Sequence, residues 1–183
     1  MSENIEKTHR QLLEAISFAA RAHQGQWRKD GQTPYVSHVF RVSMIVRDVF
    51  AVSDARVLTA AVLHDTVEDT TTDHDDLAEH FGPEIAQWVA ALSKDKRLPH
   101  DVREQAYCAQ LRQAPWQVQI CKLADILDNL MDSRNMPPEK QARSLSNARR
   151  YLEAMASNLS EPTRHAWELV SGFLNTLQRG KQS

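Results

Sequence analysis

Residues 57–72 read VLTAAVLHDTVEDTTT, an apolar run that leads straight into His64, Asp65, Glu68 and Asp69. Unpaired charge is costly to bury, and negative charge near a helix C-terminus opposes the macrodipole. Four such side chains at the end of an apolar helix need a compensating partner, and a divalent metal is the simplest one. Imidazole and carboxylate together suit Mn²⁺, Fe²⁺, Zn²⁺ and similar first-row ions. Helical spacing pairs His64 with Glu68 and Asp65 with Asp69 on neighbouring faces.

An HD dipeptide by itself is weak evidence, and this chain has three: His64-Asp65, His74-Asp75 and His100-Asp101. The last two lie in polar stretches, where Asp is a natural helix cap. Only the first follows an apolar helix. A metal site needs further ligands. His38 stands in TPYVSHVFRV, one turn into a predicted helix. Asp125 stands in QICKLADILDNLMD, where Leu123, Leu127 and Leu130 form one stripe and Asp125, Asn129 and Asp132 the opposite face. Periodicity alone allows that face to be simply solvated, and His38 to be an ordinary core or surface histidine. Three basic clusters, Arg28-Lys29, Lys94/Lys96/Arg97 and Arg149-Arg150, could neutralise an anionic substrate or be solvated surface charge.

The elements that must position these residues read as helices throughout. Leu12, Leu13, Ile16, Ala19, Ala20 and His23 mark one face of a helix over about 4–24. Thr33-Pro34 starts a second, to about Phe50, by a cap and an N1 proline. Ser53 caps a third over about 54–69. Gly82-Pro83 opens one over about 83–93, Asp101 caps one to about 112, and Pro115 opens a long one to about Ser133. Pro137-Pro138 precedes a helix to about Asn158, and Ser160-Glu161-Pro162 starts the last, to about Gln178. No strand signal, repeat or linker interrupts them. The expectation is an all-α single domain over residues 1–183, with loops near 25–33, 94–100 and 133–138. Trp27, Trp88, Trp116 and Trp167 are expected in the core or at helix contacts, with Trp27 the candidate to border the site.

Composition sets outer limits. At 183 residues and 42% hydrophobic content the chain can bury a core of its own. A net charge of −2 argues against nucleic acid as the main partner. Cys108 and Cys121 fit no zinc spacing and read as reduced thiols. The polar start MSENIEKTHR lacks a signal-peptide core, and no apolar run approaches the ~20 residues a membrane span needs. A cytoplasmic location follows as an expectation, without a membrane partner. The helices leave room for a helix-packed homo-oligomer.

The order His…His-Asp…Asp resembles the HD superfamily of metal-dependent phosphohydrolases. More specific strings are HxGQxR (His23, Gly25, Gln26, Arg28), RKDG, TPYVSH, AAVLHDTVEDT, Phe81-Gly82, SKDKRLP and KLADILDNL. They resemble the hydrolase domain of RelA/SpoT alarmone enzymes, closest to the small stand-alone hydrolases, over about residues 10–160. The resemblance implies a helical bundle of about eight to ten helices, with no synthetase or regulatory segment. It also implies a nucleotide substrate and one Mn²⁺ held by His38, His64, Asp65 and Asp125. Glu68 and Asp69 would position and activate the attacking water. Arg28, Lys29, Lys96, Asn129 and Tyr151 would contact the nucleotide and its phosphates. The implied reaction removes the 3′-pyrophosphate of a guanosine alarmone. The same site could act on adenosine alarmones or on the 2′-phosphate of NADPH. A nucleotide-binding module without catalysis is a further alternative.

Four positions depart from the family's usual pattern. Val39 follows the first metal histidine in place of proline. Ile126 follows the last metal aspartate in place of a basic residue. Ala154 replaces an aromatic residue, and Asp128 stands where an uncharged, aromatic or histidine residue is common. An extra carboxylate there would weaken anion binding unless a cation intervenes.

Overall fold

The computed structural model describes residues 2–133 and 136–179, which form ten α-helices and no named strand. These are α1 (Ser2–Ala22), α2 (Val36–Met44), α3 (Ala55–Leu63), α4 (Thr66–Asp69), α5 (His74–Phe81), α6 (Pro83–Leu92), α7 (His100–Gln113), α8 (Trp116–Asp132), α9 (Pro138–Met155) and α10 (Thr163–Arg179).

The centre of the bundle is made by α3 and α8. Every residue of α3 from Val57 to Leu63 is buried, as an all-round apolar segment requires. Asp54 caps it, its carboxylate accepting from the Arg56 N–H. Helix α3 packs on α1, α2, α6 and α8. Helix α8 packs on α2, α3, α6, α9 and α10. It buries Val118, Ile120, Cys121, Leu123, Ala124, Ile126, Leu127 and Leu130. Asp125 and Asp128 are buried among them. Asp125 is therefore not on a solvated face, because other helices cover α8 there, whereas Asn129 and Asp132 farther along stay half-buried.

Two predicted helices are broken. The second bends at Met44 into a π-helical turn, Ile45–Val49, and ends at Ala51 in the left-handed region, φ 57°. The third stops at His64, the C-cap of α3, and Asp65 becomes the N-cap of α4. The break relieves the electrostatic conflict posed by a continuous helix. Glu68 and Asp69 then belong to the single turn of α4, off the end of the long apolar helix.

Helix α5 has no counterpart in the periodicity reading, which left His74-Asp75 in a polar stretch. Asp73 and Asp76 form a reciprocal capping box that starts it, and Leu77 and Phe81 anchor it in the core. Gly82 at φ 87° joins α5 to α6, with Pro83 at the first turn of α6. Trp88 is buried. Trp116 and Trp167 pack against the core. Trp27 is 58% exposed, held by a single bridge to Pro34 on the outside of the loop. Among the described residues, no helix is long and apolar enough to cross a membrane, and both cysteines are free.

Candidate metal centre and anion cavity

Four side chains from α2, α8 and the α3–α4 junction converge on one point. His38 Nε2 lies 3.4 Å from Asp65 Oδ2 and 3.2 Å from Asp125 Oδ1. His64 Nε2 lies 3.0 Å from Asp65 Oδ2 and 3.7 Å from Asp125 Oδ1. Both imidazoles are buried. In each ring the other nitrogen already has an acceptor. His64 Nδ1 donates to the Ala61 carbonyl at 2.8 Å, and His38 Nδ1 to Asp128 Oδ2 at 2.6 Å. With Nδ1 committed to an acceptor, Nε2 is in each ring the nitrogen turned to the cluster, the one that would ligate a metal on giving up its proton. His64 Nε2 is buried with no hydrogen-bond partner. Such an orphan in a His/Asp cluster fits a cation, and His38, His64 and Asp65 are spaced to hold one.

The electrostatics agree. Burial lowers the pKa of His38, yet contacts to Asp125, Asp128 and Asp65 win and raise it to about 9. The same opposition raises His64 to about 10. Burial would raise the carboxyls of Asp65 and Asp125. The two imidazoles, and for Asp125 chiefly Lys122, hold both well below the ordinary range. The site favours positive charge wherever it can be placed.

Surrounding groups fix these four. The Tyr35 hydroxyl donates to Asp65 Oδ2 at 2.6 Å. Lys122 Nζ holds Asp125 Oδ2 at 2.7 Å, and Asn129 Nδ2 donates to Asp125 Oδ1. Asp128 accepts from His38 and also from Arg41 Nε at 2.6 Å. Arg41 and Arg28 both reach Asp132. The anticipated penalty of Asp128 is thus answered inside the fold, where two guanidinium groups balance two carboxylates. The other departures are also interior: Val39, Ile126 and Ala154 are all buried.

Beside the cluster, Glu68 Oε2 accepts the Lys94 N–H at 3.0 Å. Burial raises its pKa. Asp69 Oδ1 binds Lys96 Nζ at 2.7 Å, and its carbonyl accepts from Gln26 Nε2 at 2.7 Å. Gln26 Oε1 in turn accepts from His23 Nδ1 at 2.8 Å. The HxGQ string therefore clamps the end of α4. In the RKDG turn, the Asp30 carboxylate accepts the Thr33 hydroxyl and the Thr33 and Gln32 N–H groups, which push its pKa down to about 2. Gly31 turns there at φ 71°.

A cavity of about 370 Å³ opens against Asp125. Three residues expected to meet substrate, Lys29, Asn129 and Tyr151, line it. The other two are engaged elsewhere. Arg28 is buried against Asp132, at 2.7 Å, and Asn129, and Lys96 bonds Asp69 and the Glu68 carbonyl. Lys94, from the Lys94/Lys96/Arg97 cluster, also lines the cavity, as do Lys122, Lys140 and Arg143, which the sequence reading did not single out. Lys94 and Lys122 each lie about 5 Å from the Tyr107 and Tyr151 ring centroids. The Arg149-Arg150 pair is not in this wall; Arg149 bonds Gln178 and Arg150 lies 3.5 Å from Glu104.

A family model described as HD domain matches residues 15–159. The chain is 42% identical over 130 residues to the human guanosine-3′,5′-bis(diphosphate) 3′-pyrophosphohydrolase MESH1, covering 70% of this chain and 73% of that protein. The zebrafish (Danio rerio) protein of the same name is 40% identical over 129 residues, covering 70% and 72%. A solved structure described as a metazoan ortholog of SpoT that hydrolyses ppGpp superposes with TM-score 0.78 at 30% identity, covering 87% of this chain and 93% of that one. An HD domain implies binding of a divalent metal. On sequence and fold together, the chain belongs to the HD-domain family, among the RelA/SpoT-type alarmone hydrolases.

Proposed function

We propose that this protein removes the 3′-pyrophosphate of guanosine 3′,5′-bis(diphosphate) or its 5′-triphosphate counterpart, giving GDP or GTP and pyrophosphate. The observation that carries the reading is the convergence of His38 Nε2, His64 Nε2, Asp65 Oδ2 and Asp125 Oδ1 beside a cavity walled by cations. Relatives named for this activity support it. These four residues would hold one divalent ion, which we assign as Mn²⁺ on the family resemblance. When bound, such an ion lowers the pKa of its water and offsets charge on phosphoryl oxygens.

The chain's own groups would do the rest. Glu68, with a raised pKa, accepts a proton from the attacking water, as a carboxylate poised nearer neutrality does well. Asp69 orients that water while Lys96 and Gln26 hold it in place. Lys122 and Lys94 line the cavity and neutralise the departing pyrophosphate. Lys29, Asn129 and Tyr151 contact the nucleotide from the cavity wall. Arg28 acts indirectly, by bracing Asn129 from behind, and Lys96 by fixing Asp69.

The test is a product assay by ion-exchange chromatography with added Mn²⁺. The guanosine bis(diphosphates), their adenosine counterparts and NADPH are offered in parallel. Release of pyrophosphate and GDP or GTP from the guanosine compounds is expected. Turnover only of the adenosine compounds or NADPH, or of none, overturns the assignment.

A further inference from the structure

The cations around the cavity fall into two sets. Those of the floor are already compensated. Lys122 pairs with Asp125 at 2.7 Å, and Lys94 pairs with Glu104 at 2.9 Å and bonds the Tyr151 hydroxyl. Those of the rim are not. Lys29, Lys140 and Arg143 are exposed and make no ion pair among the described residues.

Their placement is not that of scattered surface charge. Lys140, Arg143, Ser144 and Asn147 are spaced i, i+3, i+4, i+7 on α9, and all four line the cavity. Like charges at i, i+3 repel, so a helix gains nothing by itself from setting Lys140 beside Arg143. Lys29 faces them from the loop before α2. Desolvation of part of its side chain lowers its pKa, as do the charges of Arg28 and Lys140, against the opposite pull of the more distant Asp125 and Asp132. Three cations that line one cavity without an ion-pair partner among the described residues ask for a polyanion.

The reacting end of the proposed substrate is accounted for elsewhere, at the His/Asp cluster and the floor lysines. We infer that Lys140 and Arg143 on α9, with Lys29 opposite, form a second seat that holds the nucleotide's unreacted 5′-phosphates. The seat makes a second phosphorylated end part of what the protein recognises. This rests on the function proposed above. Each terminal phosphate carries about −1.5 to −2 charge near pH 7, so a 5′-di- or triphosphate matches the rim, and a 5′-hydroxyl leaves it repelling itself. Ser144 and Asn147 supply neutral hydrogen-bond donors on the same face. The metal ligands and Glu68 are not involved.

The probe is GDP, which carries the 5′-phosphates and no 3′ group. Its binding to the full-length protein is measured by calorimetry, together with guanosine and inorganic pyrophosphate. GDP should bind well above guanosine and weaken as salt rises, because the rim is exposed. The double variant Lys140→Gln/Arg143→Gln should weaken GDP about tenfold or more and flatten the salt dependence. Pyrophosphate affinity should change far less. With the bis(diphosphate) substrate, KM should rise in the variant while kcat falls less than threefold, the pattern of lost uniform binding. Both side chains are exposed, and an unchanged melting temperature confirms the fold.

GDP binding no tighter than guanosine, or unchanged in the variant, overturns the inference. So does a larger loss for pyrophosphate than for GDP, which would place the leaving group at the rim. A wild-type protein that binds GDP through this rim but turns over no alarmone defeats the proposed reaction and leaves the seat standing. Turnover with GDP affinity indifferent to the rim does the reverse.

Discussion

Asp128 shows how one carboxylate can be neutral toward its surroundings. It is fully buried, yet His38, Arg41 and Arg28 all face it. Its effect is to fix which nitrogen of His38 carries the proton and so which one faces the cluster. Asp128→Asn should weaken metal binding about 10–100-fold, measured by titration calorimetry with Mn²⁺; an unaltered affinity would mean that packing alone orients His38. Glu68 is a different case, since among the described residues its carboxylate accepts a hydrogen bond only from the Lys94 N–H. Glu68→Gln should keep metal stoichiometry and lose about 10²–10⁴-fold in turnover. Because burial raises the Glu68 pKa, its base form is lost as pH falls through a value above the ordinary ~4.3 of glutamate. The acid limb of kcat/KM should therefore lie above that value in the wild type and be missing from the Glu68→Gln profile.

Between elements, a buried polar tie joins α7, α9 and the loop after α6. Glu104 accepts from Lys94 Nζ at 2.9 Å and from the Tyr151 hydroxyl at 2.6 Å. Burial would raise its pKa, but these two donors and the charge of Arg150 lower it. The contribution is thus present above the unfolded pKa and lost as pH falls through the lowered one. Glu104→Gln would leave the half-buried Lys94 without its counter-charge and should cost about 3 kcal/mol in chemical denaturation. A change under about 0.5 kcal/mol would show that Tyr151 alone satisfies the lysine. In the central helix, Leu63 has no exposed surface. Leu63→Ala should cost about 2–5 kcal/mol, with the larger values following if α1 and α6 cannot close on the cavity.

At the level of the whole molecule, α2, α8 and the α3–α4 junction meet at the proposed metal centre. Occupancy should therefore act on global stability. Metal at about 100 times its Kd adds about 2.7 kcal/mol, which for a chain of this size moves the melting temperature by about 5–10 °C. Scanning calorimetry before and after chelation should show that loss, with recovery on adding Mn²⁺. A melting point indifferent to chelator would mean that the His–Asp ion pairs suffice to hold the three elements together.

The sequence by itself was enough for the all-helical class and most helix boundaries, because proline and glycine punctuate it and the apolar spacing is helical; the named caps were displaced, since Asp54 rather than Ser53 caps α3, and neither Thr33 nor Asp101 occupies an N-cap. It also singled out His64 and Asp65, since an apolar run ending in such side chains is hard to explain otherwise; His38 and Asp125 joined them only through the family strings. What it could not show depended on neighbours distant in the chain. Whether Asp125 faced water or a core was undecidable from α8 alone, because α2, α3 and α9 cover it. The break at His64–Asp65 was hidden in a pattern whose periodicity runs through it unbroken. Helix α5 was missed because its start lies in an Asp73–Asp76 capping box and only Leu77 and Phe81 give it an apolar face. Arg28 and Lys96 were read as free cations, but charge pairing across about 104 and 27 residues of chain took them up. Lys140 and Arg143 carry no motif, and only the packing of α9 beside α8 turns their shared face toward the cavity. Local chemistry is written in the order of residues; which charges remain unpaired is decided only when helices far apart in the chain close on one another.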